Sequence, residues 1–247
     1  RWVGAPTNAG GSAMSEAHQN FQRRRPVQLQ SKLDAASRPI WRILNGALLG
    51  REVSEADGKQ LFECRESRRQ IDRQAIYATA NALREKTNGD AVTFVVNRNI
   101  NFTNICYMGC RFCGFAKRKE DSGAEWLEPD QVVGRAQEAW DRGATEVCIQ
   151  GGLHPKMRGS YFRELVCAIK SALPGMHIHA FSPFEIWYGA RKSKLSFRAF
   201  LQDLKDAGLG SMPGTAAEIL DTDVRRQLTQ NKLSTQDWVE IIRTAHE

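Results

Sequence analysis

The chain has 247 residues, a hydrophobic fraction of 41% and a charged fraction of 26%, values typical of a globular protein with a core of useful size. No apolar run approaches the ~18–20 residues of a membrane-spanning helix, so we expect no membrane partner. The formal charge of +7 comes from scattered Lys and Arg residues without interleaved aromatic residues. We therefore expect a solvated basic surface and no nucleic-acid partner.

Residues 1–32 are predicted to be a flexible linker, with an organelle-targeting segment as the alternative. The chain begins at Arg1 rather than Met, which indicates a fragment or a processed chain, and Glu16 is the only acidic residue before position 31. Residues 33–90 are predicted as a helical segment. Their apolar positions recur every three to four residues, as at Ile71, Ala75, Ala78 and Ala82.

Strand and helix patterns alternate from residue 91 onward. The β-branched run 91–96 predicts a buried strand that continues to residue 104, and within it Asn97, Asn99 and Asn101 share one face. Three further strands are predicted at 146–150, 177–181 and 210–212, with amphipathic helices between them and a last helix at the end.

This alternation predicts an α/β fold with a parallel sheet and right-handed crossovers, hence a barrel or a doubly wound sheet. A closed (β/α) TIM-type barrel takes ~250 residues, and only about four βα units are visible here. We therefore predict that residues 91–247 form the N-terminal part of an incomplete barrel, and that the chain alone is inactive.

Three cysteines form a CxxxCxxC motif, Cys106-Tyr-Met-Gly-Cys110-Arg-Phe-Cys113, directly after the first predicted strand. Parallel α/β folds place their chemistry at the carboxyl ends of strands. Three thiolates so close together bind zinc or an iron–sulfur cluster, and the lack of a nearby fourth Cys or His favours a [4Fe–4S] cluster with one open iron.

The other cysteines, Cys64, Cys148 and Cys167, fit inert structural positions. Six cysteines without a secretory signal indicate free thiols in a reducing compartment, the cytoplasm or an organelle interior, and not a secreted protein.

Residues 95–104, the cysteine motif and Gly114-Phe115-Ala116 together resemble the deazaflavin (FO) synthase family of radical S-adenosylmethionine (SAM) enzymes. The resemblance is closest to the tyrosine-cleaving half, CofH, which is a separate subunit or the C-terminal half of a bifunctional synthase. It extends over roughly residues 41–247 and includes later landmarks at 150–155, 177–181 and 212–220.

The resemblance implies a partial radical SAM barrel with two cofactors, a [4Fe–4S] cluster and SAM. The implied reaction cleaves L-tyrosine by way of a 5′-deoxyadenosyl radical and transfers its 4-hydroxybenzyl group to 5-amino-6-(D-ribitylamino)uracil. Implied partners are an electron donor and a CofG-like subunit or fused domain that closes the deazaflavin ring.

The same resemblance assigns the cluster to Cys106, Cys110 and Cys113. It places Phe112 near the adenine and the backbone of Gly151-Gly152 near the SAM amino group, where absent side chains permit close approach. The family motif usually continues with Glu, whereas this chain has Leu153.

Three further residues are weaker candidates for a role in the site. His154 fits either proton transfer or a turn histidine bonded to backbone. Glu185 and Glu218 follow predicted strands and are expected on the active-site rim, where they would bind ribose hydroxyls or the substrate amino group. Glu218 fits equally a carboxylate in the first turn of a helix.

Two alternative functions stay open from the sequence. One is a futalosine-pathway enzyme of menaquinone biosynthesis, which shares the cysteine motif and the Gly-Gly-x-His-Pro turn. The other belongs to a different class, a non-catalytic iron–sulfur or zinc module.

Overall fold

The computed structural model describes residues 27–64 and 70–247. The chain divides into two compact units, with the boundary between Thr93 and Phe94. Within the described ranges, no helix combines the length and the apolar character needed to cross a membrane. Most of the predicted tail, residues 1–26, lies outside the described residues.

The first unit is helical, with α1 at Val27–Ala35, α2 at Arg38–Leu48, α3 at Glu55–Phe62 and α4 at Gln70–Asn88. Its core joins leucine and isoleucine side chains of α1 and α2 to Ala75 and Ala82 of α4. Residues 27–32 were predicted as tail, but they belong to α1 because Leu29 is buried in this core.

The apolar face predicted for α4 is wrong at Ile71, the first of its four positions. Ile71 is 54% exposed, and the neighbouring Asp72 faces inward instead. The Asp72 carboxylate accepts hydrogen bonds from the Ser37 amide at 2.7 Å and the Ser37 hydroxyl at 2.9 Å. Because Ser37 precedes α2, this carboxylate satisfies an amide at the start of that helix.

The second unit contains a parallel sheet in the order β1-β2-β3, formed by β1 at Asn97–Asn101, β2 at Glu146–Gln150 and β3 at His177–Ala180. Helix α5 at Pro129–Asp141 connects β1 to β2, and α6 at Tyr161–Ala172 connects β2 to β3. Four helices follow β3: α7 at Pro183–Ser193, α8 at Phe197–Ala207, α9 at Thr222–Leu228 and α10 at Thr235–His246.

Burial alternates along the strands and shows which kind of parallel sheet this is. Residues such as Ile100, Val147 and Ile178 are buried in the helix-covered core, whereas their strand neighbours are half-buried or exposed. A doubly wound sheet would be covered by helices on both faces. One covered face and one polar face fit the wall of a (β/α) barrel, so the predicted fold class is confirmed.

Two predicted strands differ from the structure. The run 91–96 is not a strand, and Val92 and Phe94 are 89% and 88% exposed. Pairing with β2 begins only at Asn97, opposite Glu146. At 210–212 a single bridge pairs Ser211 with His179, so three strands and not four are found in the described residues. Pro213 follows and has no amide to extend the pairing.

Candidate active site

The three cysteines lie in a loop that begins just beyond β1 and closes through backbone hydrogen bonds. The Lys117 amide donates to the Asn104 carbonyl at 2.9 Å, and the Cys106 amide donates to the Lys117 carbonyl at 3.1 Å. We call residues 106–117 the cysteine loop. Gly109 has φ +69°, a left-handed conformation that glycine adopts without strain, and it turns the chain ahead of the second cysteine.

The thiols of the cysteine loop are all free. Cys113 is exposed, while Cys106 and Cys110 are half-buried and pack against the core. Among the residues that the structure describes, no three Cys, His, Asp or Glu side chains are grouped to hold a metal ion.

Gly152 lies directly against the cysteine loop, at the carboxyl end of β2. Its amide donates to the Thr103 carbonyl at 2.8 Å. A Cβ atom on Gly152 would lie 2.5 Å from the Ile105 carbonyl oxygen and 3.0 Å from the Cys106 Cβ. We expected the missing side chain to leave room for SAM. The structure instead fills that space with the protein's own backbone, so the glycine lets two loops pack together.

Glu185 lies beneath the adjacent glycine and anchors it. This residue of α7 is 2% exposed. Its Oε1 accepts from the Gly151 amide at 2.9 Å, and its Oε2 accepts from the Ser182 amide at 2.8 Å and hydroxyl at 2.7 Å. Burial raises the pKa of Glu185 to about 7, although these hydrogen bonds oppose the shift. The predicted role on the active-site rim, binding ribose hydroxyls or the substrate amino group, is wrong for Glu185, because its buried carboxylate is enclosed by protein donors.

Glu218 is exposed and pairs with two cations. Its Oε1 lies 2.5 Å from the Lys232 Nζ, and its Oε2 lies 3.7 Å from the Arg225 Nη1. Glu218 has φ +43° and precedes α9, so the alternative position in the first turn of a helix is wrong. The carboxylate is therefore held in place before any ligand arrives.

Residues 228–232, which we call the supporting segment, contact the cysteine loop at three consecutive positions. The Thr229 Oγ1 lies 3.2 Å from the Cys110 Sγ. The Arg111 amide donates to the Leu228 carbonyl at 3.0 Å. At the third position, Phe112, the ring centroid lies 5.3 Å from the Lys232 Nζ, within the range of a cation–π contact. Sequence reasoning missed this segment, because no motif marks it and Thr229 follows Cys110 by 119 positions.

His154 occupies a turn beside the cysteine loop. Its Nδ1 accepts a hydrogen bond from the Lys156 amide at 3.1 Å, which agrees with the turn-histidine alternative. Burial, followed by the charges of Lys119 and Lys156, lowers the pKa of His154. A cleft of about 340 Å³ has His154 and Cys106 among its lining residues. A neutral imidazole therefore lies at the edge of an open cleft that reaches a proposed cluster ligand.

The polar face of the sheet carries hydrogen-bonding groups in register. Asn99, Cys148 and His179 are aligned across the three strands. The Ser211 Oγ lies 2.7 Å from the His179 Nδ1 and 2.9 Å from the His177 Nε2. Cys148 is half-buried on this face, not enclosed in the core, and burial raises the pKa of its thiol.

The site residues predicted from the sequence lie around the cysteine loop and the glycine turn. Cys106 and Cys110 pack with Gly152 and the supporting segment, and Glu218 joins that segment through Lys232. Phe112 is 47% exposed at the same place. His154 lies at the cleft that Cys106 also lines, and Glu185 supports the glycine turn from within the core.

Comparison with known proteins finds FO synthases and a 4-hydroxyphenyl transferase among the relatives of this chain. FO synthase of Streptomyces avermitilis is 54% identical over 173 residues, which cover 70% of this chain and 20% of that protein. FO synthase of Mycobacterium tuberculosis is 49% identical over 226 residues, 91% of this chain and 25% of that protein. A 5-amino-6-(D-ribitylamino)uracil–L-tyrosine 4-hydroxyphenyl transferase of Cyanothece is 44% identical over 218 residues, 85% of this chain and 56% of that protein.

The chain thus spans a fifth to about half of the length of these relatives. Among solved structures, methylornithine synthase PylB matches with a TM-score of 0.59 at 19% identity, covering 82% of this chain and 55% of that chain. The hydrogenase maturase HydG of Carboxydothermus hydrogenoformans matches with a TM-score of 0.64 at 18% identity, covering 94% and 51%. At these identities the matches show a shared fold. The family model of the Radical SAM superfamily matches residues 100–247, and the chain belongs to that superfamily.

Proposed function

We propose that the protein containing this chain is a radical SAM transferase of deazaflavin FO biosynthesis. It cleaves L-tyrosine and transfers the 4-hydroxybenzyl group to 5-amino-6-(D-ribitylamino)uracil. The similarity to FO synthases and to the Cyanothece transferase supports the choice of reaction. The observation that carries the proposal is the position of the three free cysteines, on a closed loop at the carboxyl end of a barrel strand and in contact with a double-glycine turn.

Cys106, Cys110 and Cys113 would hold a [4Fe–4S] cluster as thiolates, with one iron left for SAM. When bound, the cluster and SAM would supply the radical chemistry that starts the cleavage of tyrosine. Phe112 is half-exposed beside the cysteine loop and would contact the adenine. Glu218, held by Lys232, keeps carboxylate lone pairs for ribose hydroxyls.

The glycine turn would contact SAM, whereas the polar face of the sheet would contact the uracil substrate. Glu185 fixes Gly151, so the backbone of the turn is already ordered when SAM approaches. Asn99 and His179, on the polar face, offer hydrogen-bonding groups to the uracil and its hydroxylated side chain. His154 is neutral in its turn, and because its Nδ1 accepts from the Lys156 amide, its Nε2–H is left as a hydrogen-bond donor for substrate contact at the cleft.

The proposal includes partners outside this chain. An electron donor would reduce the cluster, and a CofG-like subunit or fused domain would close the deazaflavin ring. Because a cluster with an open iron is sensitive to oxidants, we place the protein in a reducing compartment.

An anaerobic assay tests the reaction. The reconstituted protein is incubated with L-tyrosine, 5-amino-6-(D-ribitylamino)uracil, SAM and dithionite, and the products are read by mass spectrometry. We expect 5′-deoxyadenosine together with a tyrosine-derived adduct of the pyrimidine. Formation of 5′-deoxyadenosine without tyrosine consumption would contradict the substrate assignment and favour a futalosine-pathway substrate. A zinc-loaded protein that never cleaves SAM would be a non-catalytic module.

A further inference from the structure

The contact between Thr229 and Cys110 has a specific geometry. Thr229 is 5% exposed and is the C-cap residue of α9, where its amide donates to the Arg225 carbonyl at 2.9 Å. Its hydroxyl oxygen lies 3.2 Å from the Cys110 Sγ. Next to this contact, the Arg111 amide donates to the Leu228 carbonyl. Backbone and side chain of the supporting segment therefore fix the same turn of the cysteine loop.

The supporting segment is held independently of the cysteine loop. Arg225 is 4% exposed, and its guanidinium donates to carbonyl oxygens on both sides of α9. The bonds reach the carbonyls of Ala217 at 2.6 Å, Ala216 at 3.0 Å and Leu233 at 3.1 Å. Because the planar guanidinium has fixed donor directions, this arrangement orders the chain before and after Thr229. The hydroxyl is thus brought to Cys110 by a rigid support.

The direction of the hydrogen bond follows from the chemistry of the sulfur. A thiolate that binds iron has no proton, so it accepts, and the Thr229 hydroxyl is the only partner of the pair that donates. Hydrogen bonds to cluster sulfurs help to set the reduction potential of iron–sulfur clusters. A donor stabilises negative charge on the sulfur, and the reduced cluster carries one electron more than the oxidised cluster.

We propose that Thr229 is a positioning residue that donates a hydrogen bond to the Cys110 sulfur and raises the reduction potential of the cluster. This inference rests on the proposed function, because it requires the cluster on Cys106, Cys110 and Cys113. It adds a residue outside the cysteine motif that controls how readily the cluster accepts the electron needed for SAM cleavage.

The test compares reduction potentials of reconstituted protein. Thr229→Val replaces the hydroxyl by a methyl group of similar volume, Thr229→Ala removes it, and Thr229→Ser retains it. Thr244→Val is the matched control, since the Thr244 hydroxyl bonds to the Glu240 carbonyl within α10. Each protein is poised anaerobically at a series of potentials with dithionite and mediator dyes. The reduced cluster is quantified by electron paramagnetic resonance, and iron per chain and melting temperature are measured in parallel.

We expect more negative midpoint potentials in Thr229→Val and Thr229→Ala, and wild-type potentials in Thr229→Ser and Thr244→Val. An unchanged potential in both hydroxyl-free variants would overturn the inference, even with a lowered melting temperature, because that result describes a merely structural residue. Loss of iron from both variants would also overturn it, since the hydroxyl would then be needed for assembly. A wild-type protein without a reducible cluster would instead refute the proposed function, and the inference with it.

Discussion

At the scale of single residues, close packing explains the two glycines better than ligand access does. A Cβ on Gly151 would lie 2.6 Å from the Cζ of Phe102, and one on Gly152 would meet the backbone of Ile105. Both neighbours belong to the segment that leads into Cys106. The double glycine therefore sets how closely the end of β2 approaches the cysteine loop, and so where the thiols lie.

Gly152→Ala should lower both the stability of the fold and the iron content. Its methyl group would lie 2.5 Å from the Ile105 carbonyl oxygen, so the loop must shift, and overpacking of this kind costs about 1–3 kcal/mol. Gly114→Ala is the matched control, because Gly114 directly follows Cys113 and a Cβ there meets nothing within 4 Å. Thermal melting and iron analysis after reconstitution compare the two. Equal behaviour of both variants would show that the close approach is not required.

The sequence predicted some of these residues and missed others for a physical reason. Local motifs marked Cys106, Cys110, Cys113 and the glycine pair as candidates, because each motif is a short run of neighbouring residues. Thr229 acts through a contact made by folding over 119 positions, and a threonine at a helix end has no distinctive pattern. The sequence also could not predict that Glu185 is buried, because its position after a strand fits either a carboxylate on the rim or one in the core.

At the scale of elements, the position of β1 follows the pairing with β2 rather than the β propensity of the residues that precede it. The sequence predicts a strand that begins at residue 91 and continues to 104, yet only Asn97–Asn101 forms one, where the Asn residues alternate with Arg98 and Ile100. That alternation suits a strand with one polar and one covered face, whereas the preceding run would bury side chains on both faces. Predicted bounds were accurate for β2, whose pattern alternates in the same way.

Paired substitutions test the position of β1. Ile100→Ala should reduce the free energy of unfolding by about 2–5 kcal/mol, because Ile100 is 1% exposed in the core. Phe94→Ala should change it by less than about 0.5 kcal/mol, because Phe94 is 88% exposed. Urea denaturation measures both variants against the wild type. A large loss of stability in Phe94→Ala would instead indicate that residues 91–96 are buried as part of the strand.

At the scale of the whole molecule, Glu185 connects chain segments that follow two different strands. It binds the Gly151 amide after β2 and the Ser182 amide after β3.

The sheet predicted from the sequence was either a barrel or a doubly wound sheet, since both have the same order of elements. Only the one-sided burial of the strands decides for the barrel wall, and burial depends on contacts that a linear pattern does not contain.

Glu185 should also make the stability of the fold depend on pH. Its folded pKa of about 7 lies above the ordinary value of 4.5, so the folded state binds the proton more tightly. The resulting stabilisation is complete below about pH 4.5 and is lost as the pH rises through about 7. Glu185→Gln does not titrate. We therefore expect the melting temperature of the wild type, relative to Glu185→Gln, to fall over this range and then to level off. A constant difference between the two proteins would contradict the raised pKa.

The distance along the chain between the cysteine loop and its support has a consequence for biosynthesis. A ribosome adds ~5–20 residues per second, so the 119 positions between Cys110 and Thr229 take roughly 6–24 seconds to synthesise. During that interval the emerging loop can form its own backbone hydrogen bonds between Lys117 and residues 104 and 106, but it lacks every contact with residues 228–232. The thiols of the nascent chain are therefore exposed to the cell's iron carriers and oxidants before residues 228–232 are in place. Cys110 would be less exposed if the cluster were inserted after release of the chain than if it were inserted on the ribosome.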